Sequence, residues 1–348
     1  MNTKKKWLAV FAAVMAFACM SCKAEIPPYL IVDGTTVTGY TDDLPANLVI
    51  PKGITKIAGG AFYGCDWLES VTIPGSVKAI GEDITWEEAN EKDLDWEACT
   101  FGSCTSLKSV MIGKGVKVVG YGAFRGCKSL ASVSIPNSVT TIGEFAFWGC
   151  YSLASVIIPN SVTTIGGSAF HGCESLASVT IPNSVTTIGE YAFADCESLA
   201  SVTIPNSVTT IGKYAFTDCE SLTSVTIPNS VTTIGESAFD GCTSLTSVTI
   251  PNSVTTISEY AFADCESLTS VTSPDSVTTI GEYAFADCES LASVSIPSSV
   301  TSIDYGAFRD CTSLTSVTYT GTKVQWNAIK KDYIGSFTVH CTDGDVSM

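Results

Sequence analysis

Ser175–Glu197 reads SLASVTIPNSVTTIGEYAFADCE, and Ser198–Glu220 reads SLASVTIPNSVTTIGKYAFTDCE. The two segments differ only at Glu190/Lys213 and Ala194/Thr217. Within one copy, Ser178-Val179-Thr180-Ile181 alternates polar and apolar, the pattern of a short half-buried strand. Pro182 ends it, because proline cannot donate to the next ladder bond. Asn183-Ser184 is turn chemistry. Val185 to Ile188 is a second extended piece. Gly189 is expected to supply a positive φ, and Tyr191 to Cys196 a helical turn or two. Leu199 opens the next copy.

Aligned on Phe-x-x-Cys, the cysteines fall at 65, 104, 127, 150, 173, 196, 219, 242, 265, 288 and 311. Every gap after Cys104 is 23 residues; the first is 39, so 16 extra residues, Glu82 to Glu97, interrupt one copy. A 23-residue unit cannot bury its own apolar face, but stacked copies can, which predicts a solenoid with parallel strand ladders. The core columns are legible: Leu176/Leu199, Val179/Val202, Ile181/Ile204, Ile188/Ile211 and Phe170/Phe193. At ~4.8 Å per strand, eleven units make a curved rod of roughly 50 Å.

The pattern L-x-x-V-x-I-P-x-x-V-x-x-I-G-x-x-A-F-x-x-C, from about Leu48 to Val317, resembles the BspA-like, or Treponema pallidum-type, bacterial leucine-rich repeat. Tyr29 to Gly34 resembles that family's N-terminal cap. Gly321 to Trp326 with Val339 to Gly344 resembles its C-terminal cap. The expected organisation is a leader over 1–21, an N-terminal cap over 22–47, the solenoid over 48–318 with its insertion at 82–97, and a C-terminal cap over 319–348. The resemblance implies a cell-surface protein used in adhesion, binding host matrix proteins or other bacteria.

The N-terminus MNTKKKWLAVFAAVMAFACMSCKAE has three lysines followed by an apolar run of about 14 residues, short for a membrane span and suited to a signal-peptide core. Ser21-Cys22 resembles a lipobox, with Cys22 as the expected lipidation site and Cys19 its rival. The chain carries a formal charge of -17. Such a surface excludes charge-driven binding to nucleic acid or to anionic lipid, so the membrane is reached through the N-terminal lipid alone.

The cysteine column reads as buried thiols, since each follows Phe at i+3 and free cysteine packs as a small apolar residue. Disulfides between neighbouring turns stay open on spacing. The acidic column, Asp195 and Asp218 among others, reads as solubility, with a Ca²⁺ site as the alternative. The strand's outward residues Ser178, Thr180, Ser201, Thr203, Ser224, Thr226, Ser247 and Thr249 are the candidate ligand face, where a weak site repeated many times gains from avidity. The insertion, with eight acids plus Trp86 and Trp96, is the second candidate, since solenoid insertions map to loops that are often binding faces. His171 and His340 are the only histidines; no phosphate loop, nucleophile motif, metal set or cofactor motif is present. The expectation is a non-catalytic exported scaffold for protein or glycan ligands. The competing readings are an envelope spacer and a periplasm-facing partner-binding lipoprotein. Finally, Ser258 and Ser273 break the consensus Gly and Ile, so that copy is expected to be the weakest.

Overall fold

The computed structural model describes residues 25–82, 84–91 and 99–347. The chain forms a β-solenoid of about 13 turns at the 23-residue spacing, with little helix. Each regular turn contributes a three-residue strand such as Ser178–Thr180 and a two-residue strand such as Thr187–Ile188. The longer strands build a 14-stranded sheet, parallel from Asn47–Val49 to Thr338–Cys341 and closed by antiparallel Gly344–Ser347. The shorter strands build a second ladder, which starts from the hairpin Leu30–Asp33/Thr36–Tyr40 and runs to Thr233–Ile234; four more strands follow from Thr256–Ile257.

Register is strict because each strand has one buried residue flanked by two exposed ones. A one-residue slip would expose the Val column and bury hydroxyls. Ser178, Val179 and Thr180 therefore pair with Ser201, Val202 and Thr203. Between the strands, Ser207 Oγ donates to the Val185 carbonyl of the turn before at 2.6 Å, and Ser276 repeats the bond to Val254 at 2.7 Å. The phenylalanines stack face to face through the core from Phe62 to Phe308, with centroids 5.0 to 5.6 Å apart.

Two details of the repeat differ from expectation. The arc from Tyr191 to Cys196 is a run of tight turns, not a helical turn. Its amides alternate: Ala194 N–H bonds back to Tyr191 within the turn, while Tyr191, Phe193 and Asp195 N–H groups bond to Lys213, Ala215 and Thr217 of the next. The alternation needs left-handed backbone at Tyr191 (φ 54°) and Asp195 (φ 54°), five and one residues before the cysteine. The second position is filled by Gly64, Gly126, Gly149, Gly172 and Gly241, by Asp195, Asp218, Asp264, Asp287 and Asp310, and once by Ser103, all at positive φ. Glycine and aspartate are among the residues that tolerate this region. Backbone geometry thus accounts for the Asp/Gly column without appeal to a ligand.

Gly189, in contrast, is not left-handed. Its constraint is close approach: a Cβ there would lie 2.8 Å from the Gly167 nitrogen of the preceding turn.

The cysteines of the column, Cys65 to Cys311, are buried free thiols. From Cys104 on, each donates to the Phe carbonyl of the preceding turn, as Cys196 does to Phe170 at 3.3 Å and Cys219 to Phe193 at 3.3 Å. Burial raises the pKa values of Cys196 and Cys219, so these thiols stay protonated and unreactive. This is why the cysteine recurs: the site takes a small apolar side chain that still donates one weak hydrogen bond to a buried carbonyl.

Candidate binding faces

The sequence-predicted hydroxyls all lie on one face of the 14-stranded sheet. Ser178, Thr180, Ser201, Thr203, Ser224, Thr226, Ser247 and Thr249 are exposed, serine above serine and threonine above threonine. In the N-terminal half the threonine column changes character. Val49, Met111 and Ile157 stand there in alternate turns, with 58%, 62% and 82% of their surface exposed, separated by Thr72 and Ser134. Sequence reading missed these three because it took the consensus from later copies. A column-by-column reading of the outward position would have found them.

The described part of the insertion, residues 82 and 84–91, does not join this face. It forms a six-residue helix, Trp86–Glu91, entered through a capping box in which Glu88 N–H bonds Thr85 Oγ1 (3.2 Å) and Thr85 N–H bonds Glu88 Oε2 (3.1 Å). Ala89 is buried against Cys99 and Tyr121, with Tyr63, Ile84 and Phe145 packed beside them. Lys56 bonds Glu82 at 2.7 Å where the insertion leaves the stack. The helix Trp86–Glu91 therefore docks on the arc of tight turns through Ala89. Trp86 begins the helix; its side chain, Trp96, and the leader with Cys19 and Cys22 lie outside the described residues. Cys99, out of register, is fully buried, and burial pushes its thiol up to about 11.

The same arc carries the most individual side chains of the repeats. Two residues before each cysteine, the copies hold Tyr63, Gly102, Arg125, Trp148 and His171 in succession. The Arg125 guanidinium stacks on Trp148 at 4.5 Å, Trp148 stacks on His171 at 5.7 Å, and His171 Nε2 meets Asp195 at 3.0 Å. Gly102 leaves a gap of about 170 Å³ walled by Tyr63, Arg125 and Trp148 over Cys99. Five residues before the cysteine, aromatic rings pair along the stack, Tyr191 on Tyr214 at 4.6 Å and Tyr260 on Tyr283 at 5.0 Å. Glu236 holds this edge by accepting from Tyr214 and from Lys213, each at 2.8 Å.

The electrostatics follow the stacking. The His171 ring beside Asp195 holds its carboxyl below the usual range. Asp218, without such a partner, is pushed up by burial and then by the Asp195 charge. Asp240 is pushed up to about 6 by burial and by Asp264. Among the described residues no group of three or more His, Cys, Asp or Glu side chains converges to hold a metal. Among the described residues the arrangement offers an extended, repeated surface.

The chain is a repeat solenoid with an extended, uncharged sheet face, and comparison places it more closely. The chain belongs to the BspA-type leucine-rich repeat family, whose model matches residues 41–91, 95–223 and 209–333. It is similar to a leucine-rich cell surface protein from Faecalibacterium prausnitzii A2-165: 31% identity over 88% of this chain and 98% of that one, TM-score 0.47. It is also similar to a leucine-rich repeat protein from Bacteroides ovatus ATCC 8483, at 28% identity over 90% and 91% of the two chains, with a TM-score of 0.57. No curated protein matches it. No helix among the described residues is long and apolar enough to cross a membrane.

Proposed function

We propose that the chain is a non-catalytic, exported cell-surface scaffold that binds protein ligands, host extracellular-matrix or bacterial surface proteins, through the exposed face of its long sheet. It is held in the bacterial envelope by lipid on Cys22, with Cys19 the rival position. The observation that carries this reading is the in-register, uncharged hydroxyl face, repeated turn after turn and studded with Val49, Met111 and Ile157 at its N-terminal half. An uncharged flat face costs little to desolvate, and the apolar residues supply the contact area that anchors interfaces. A glycan ligand is compatible with the hydroxyls.

The test is binding of the chain from Lys23 onward to matrix proteins, mucins and bacterial surfaces. It is run beside Met111→Ser/Ile157→Thr, a variant lacking Glu82 to Glu97, and one with fewer repeats. Saturable binding that falls with repeat number and with the double substitution supports the sheet face. Loss only on deleting the insertion moves the site to Trp86 and Trp96. No binding by a folded protein leaves the envelope-spacer reading ahead.

A further inference from the structure

We propose that the sheet face takes a proline-rich, acidic ligand segment in the polyproline II conformation, laid across the strands over Val49, Met111 and Ile157. The inference rests on the sheet-face reading above and names the chemistry of its ligand. In the outer column of the long sheet Val49 pairs with Thr72, Thr72 with Met111, Met111 with Ser134 and Ser134 with Ile157. The insertion leaves this register intact. Three exposed apolar side chains therefore stand on one line, each two turns from the next.

The interval selects the ligand. At ~4.8 Å per strand, alternate turns are about 9.6 Å apart, and the three anchors span about 19 Å. A polyproline II helix returns to the same face every three residues, a step of about 9.3 Å, and covers about 18.6 Å in two steps. An α-helix returns every seven residues, about 10.5 Å, and overshoots the third anchor by about 2 Å. A β-strand repeats its face about every 6.7 Å and misses the middle anchor. Polyproline II also leaves its carbonyls without partners inside the segment. The hydroxyls of Thr72 and Ser134 alternate with the anchors and can donate to them. Such a segment is already extended, so little conformational freedom is lost on binding.

Charge supplies the second criterion. Lys52 and Lys114 lie three residues after Val49 and Met111, at the same corner of turns two apart, and both are exposed. Among the described residues neither forms an ion pair with an acid. At the other end of the same strand Lys108 is already paired with Glu69 at 3.2 Å. The two lysines repeat at the interval of the anchors, about 9.6 Å, so a ligand with a carboxylate every third residue meets both. From Thr180 to Thr249 the column holds threonine, and the corner holds Asn183, Asn206, Asn229 and Asn252. The pairing of apolar anchor and lysine is confined to the N-terminal half.

The test uses a labelled twelve-residue peptide of four Pro-Glu-Pro triplets, titrated with the purified chain and followed by fluorescence anisotropy. Pro-Lys-Pro triplets give the same helix with opposite charge, and Gly-Glu-Gly triplets the same charge without the helix. The expected result is saturable binding of the Pro-Glu-Pro peptide, with either control weaker by about tenfold or more. Met111→Ser/Ile157→Thr writes in residues that the column carries elsewhere, as at Ser134 and Thr180, and should weaken binding by about tenfold or more. Lys52→Asn/Lys114→Asn should weaken it less and remove most of its salt dependence. Equal binding of either control, binding unchanged by the apolar double substitution, or no binding to the folded chain overturns the proposal. The sheet-face reading fails separately: matrix-protein binding that falls in M111S/I157T keeps that reading, while absent binding of the Pro-Glu-Pro peptide still overturns this one.

Discussion

The turns from Ser178 to Thr249 and the single turn from Ser258 to Ser273 share a consensus and differ in how it closes. In the regular turns, Gly212 and Gly235 N–H groups donate to the carbonyls of Ile188 and Ile211 at 3.0 and 2.9 Å. In the irregular turn Ser258 replaces the glycine, and its hydroxyl bonds the Ile234 carbonyl at 2.5 Å. The short-strand ladder stops there, ending at Thr233–Ile234 and resuming at Thr256–Ile257. On the other side of the same turn, Ser273 occupies the column of Ile250 and Ile296, 5% exposed, with its hydroxyl unpartnered. The long-sheet pairing into this turn registers only Ser247 with Ser270, against three pairs at the joints on either side. Two substitutions therefore loosen both ladders in one place. Identical repeats buy their stability by repetition, and a solenoid is only as continuous as its least regular joint.

The comparison is broken most severely from the regular side. Phe216 stacks between Phe193 and Phe239 and is fully buried. Phe216→Ala should cost about 3–5 kcal/mol, measured by chemical denaturation. It would make a regular turn weaker than the irregular one. A loss under about 1 kcal/mol would mean the stack is not the main source of cohesion.

From the other side, Ser273→Ile should restore the column. It removes a buried hydroxyl with no partner and adds apolar burial, for a gain of about 1–3 kcal/mol. Limited proteolysis should cut the wild-type chain first between Ser258 and Ser273, and S273I should slow that cut selectively. First cleavage within Ser178 to Thr249 would contradict the ranking of the two regions.

Ser258→Gly is a smaller change, within about 1 kcal/mol, because it exchanges one hydrogen bond for another. Its readout is local. Amide exchange at position 258 should slow as the N–H takes over the Ile234 carbonyl. An unchanged exchange rate would show that the break is not caused by the hydroxyl.

Most of the fold was legible because ten cysteines in register, Cys104 to Cys311, fix the period, and the period fixes which columns are buried. The place where both ladders break was legible too, from Ser258 and Ser273 alone. What escaped has a common cause. The helical turn expected at Tyr191 to Cys196 is a set of left-handed turns, because the amides are shared between neighbouring turns, a relation that a single copy cannot display. The acidic column looked like charge and is first a φ requirement. Arg125, Trp148 and His171 were hidden by the consensus itself: they occupy the position where copies disagree, and a reading built on agreement passes over it. The same holds for Met111 and Ile157 on the sheet face.

The smallest expected effect concerns charge at the joint between the two regions. Asp240 belongs to the last regular arc, and Asp264 to the arc of the irregular turn. Burial and the Asp264 charge push the Asp240 pKa up to about 6, above the roughly 3.9 of an unfolded aspartate. A carboxyl raised on folding binds its proton more tightly in the native state, so its contribution to stability grows as pH falls from about 6 towards 4. Above pH 6 the ionised group is a burden to the fold. Asp195, held low by His171, acts in the opposite sense, but only below the ordinary carboxylate range. Asp240→Asn should therefore raise the melting temperature slightly at pH 7.5, and the advantage should vanish at pH 4.5. A benefit of equal size at both pH values would mean that neither burial nor the Asp264 charge raises the Asp240 carboxyl on folding.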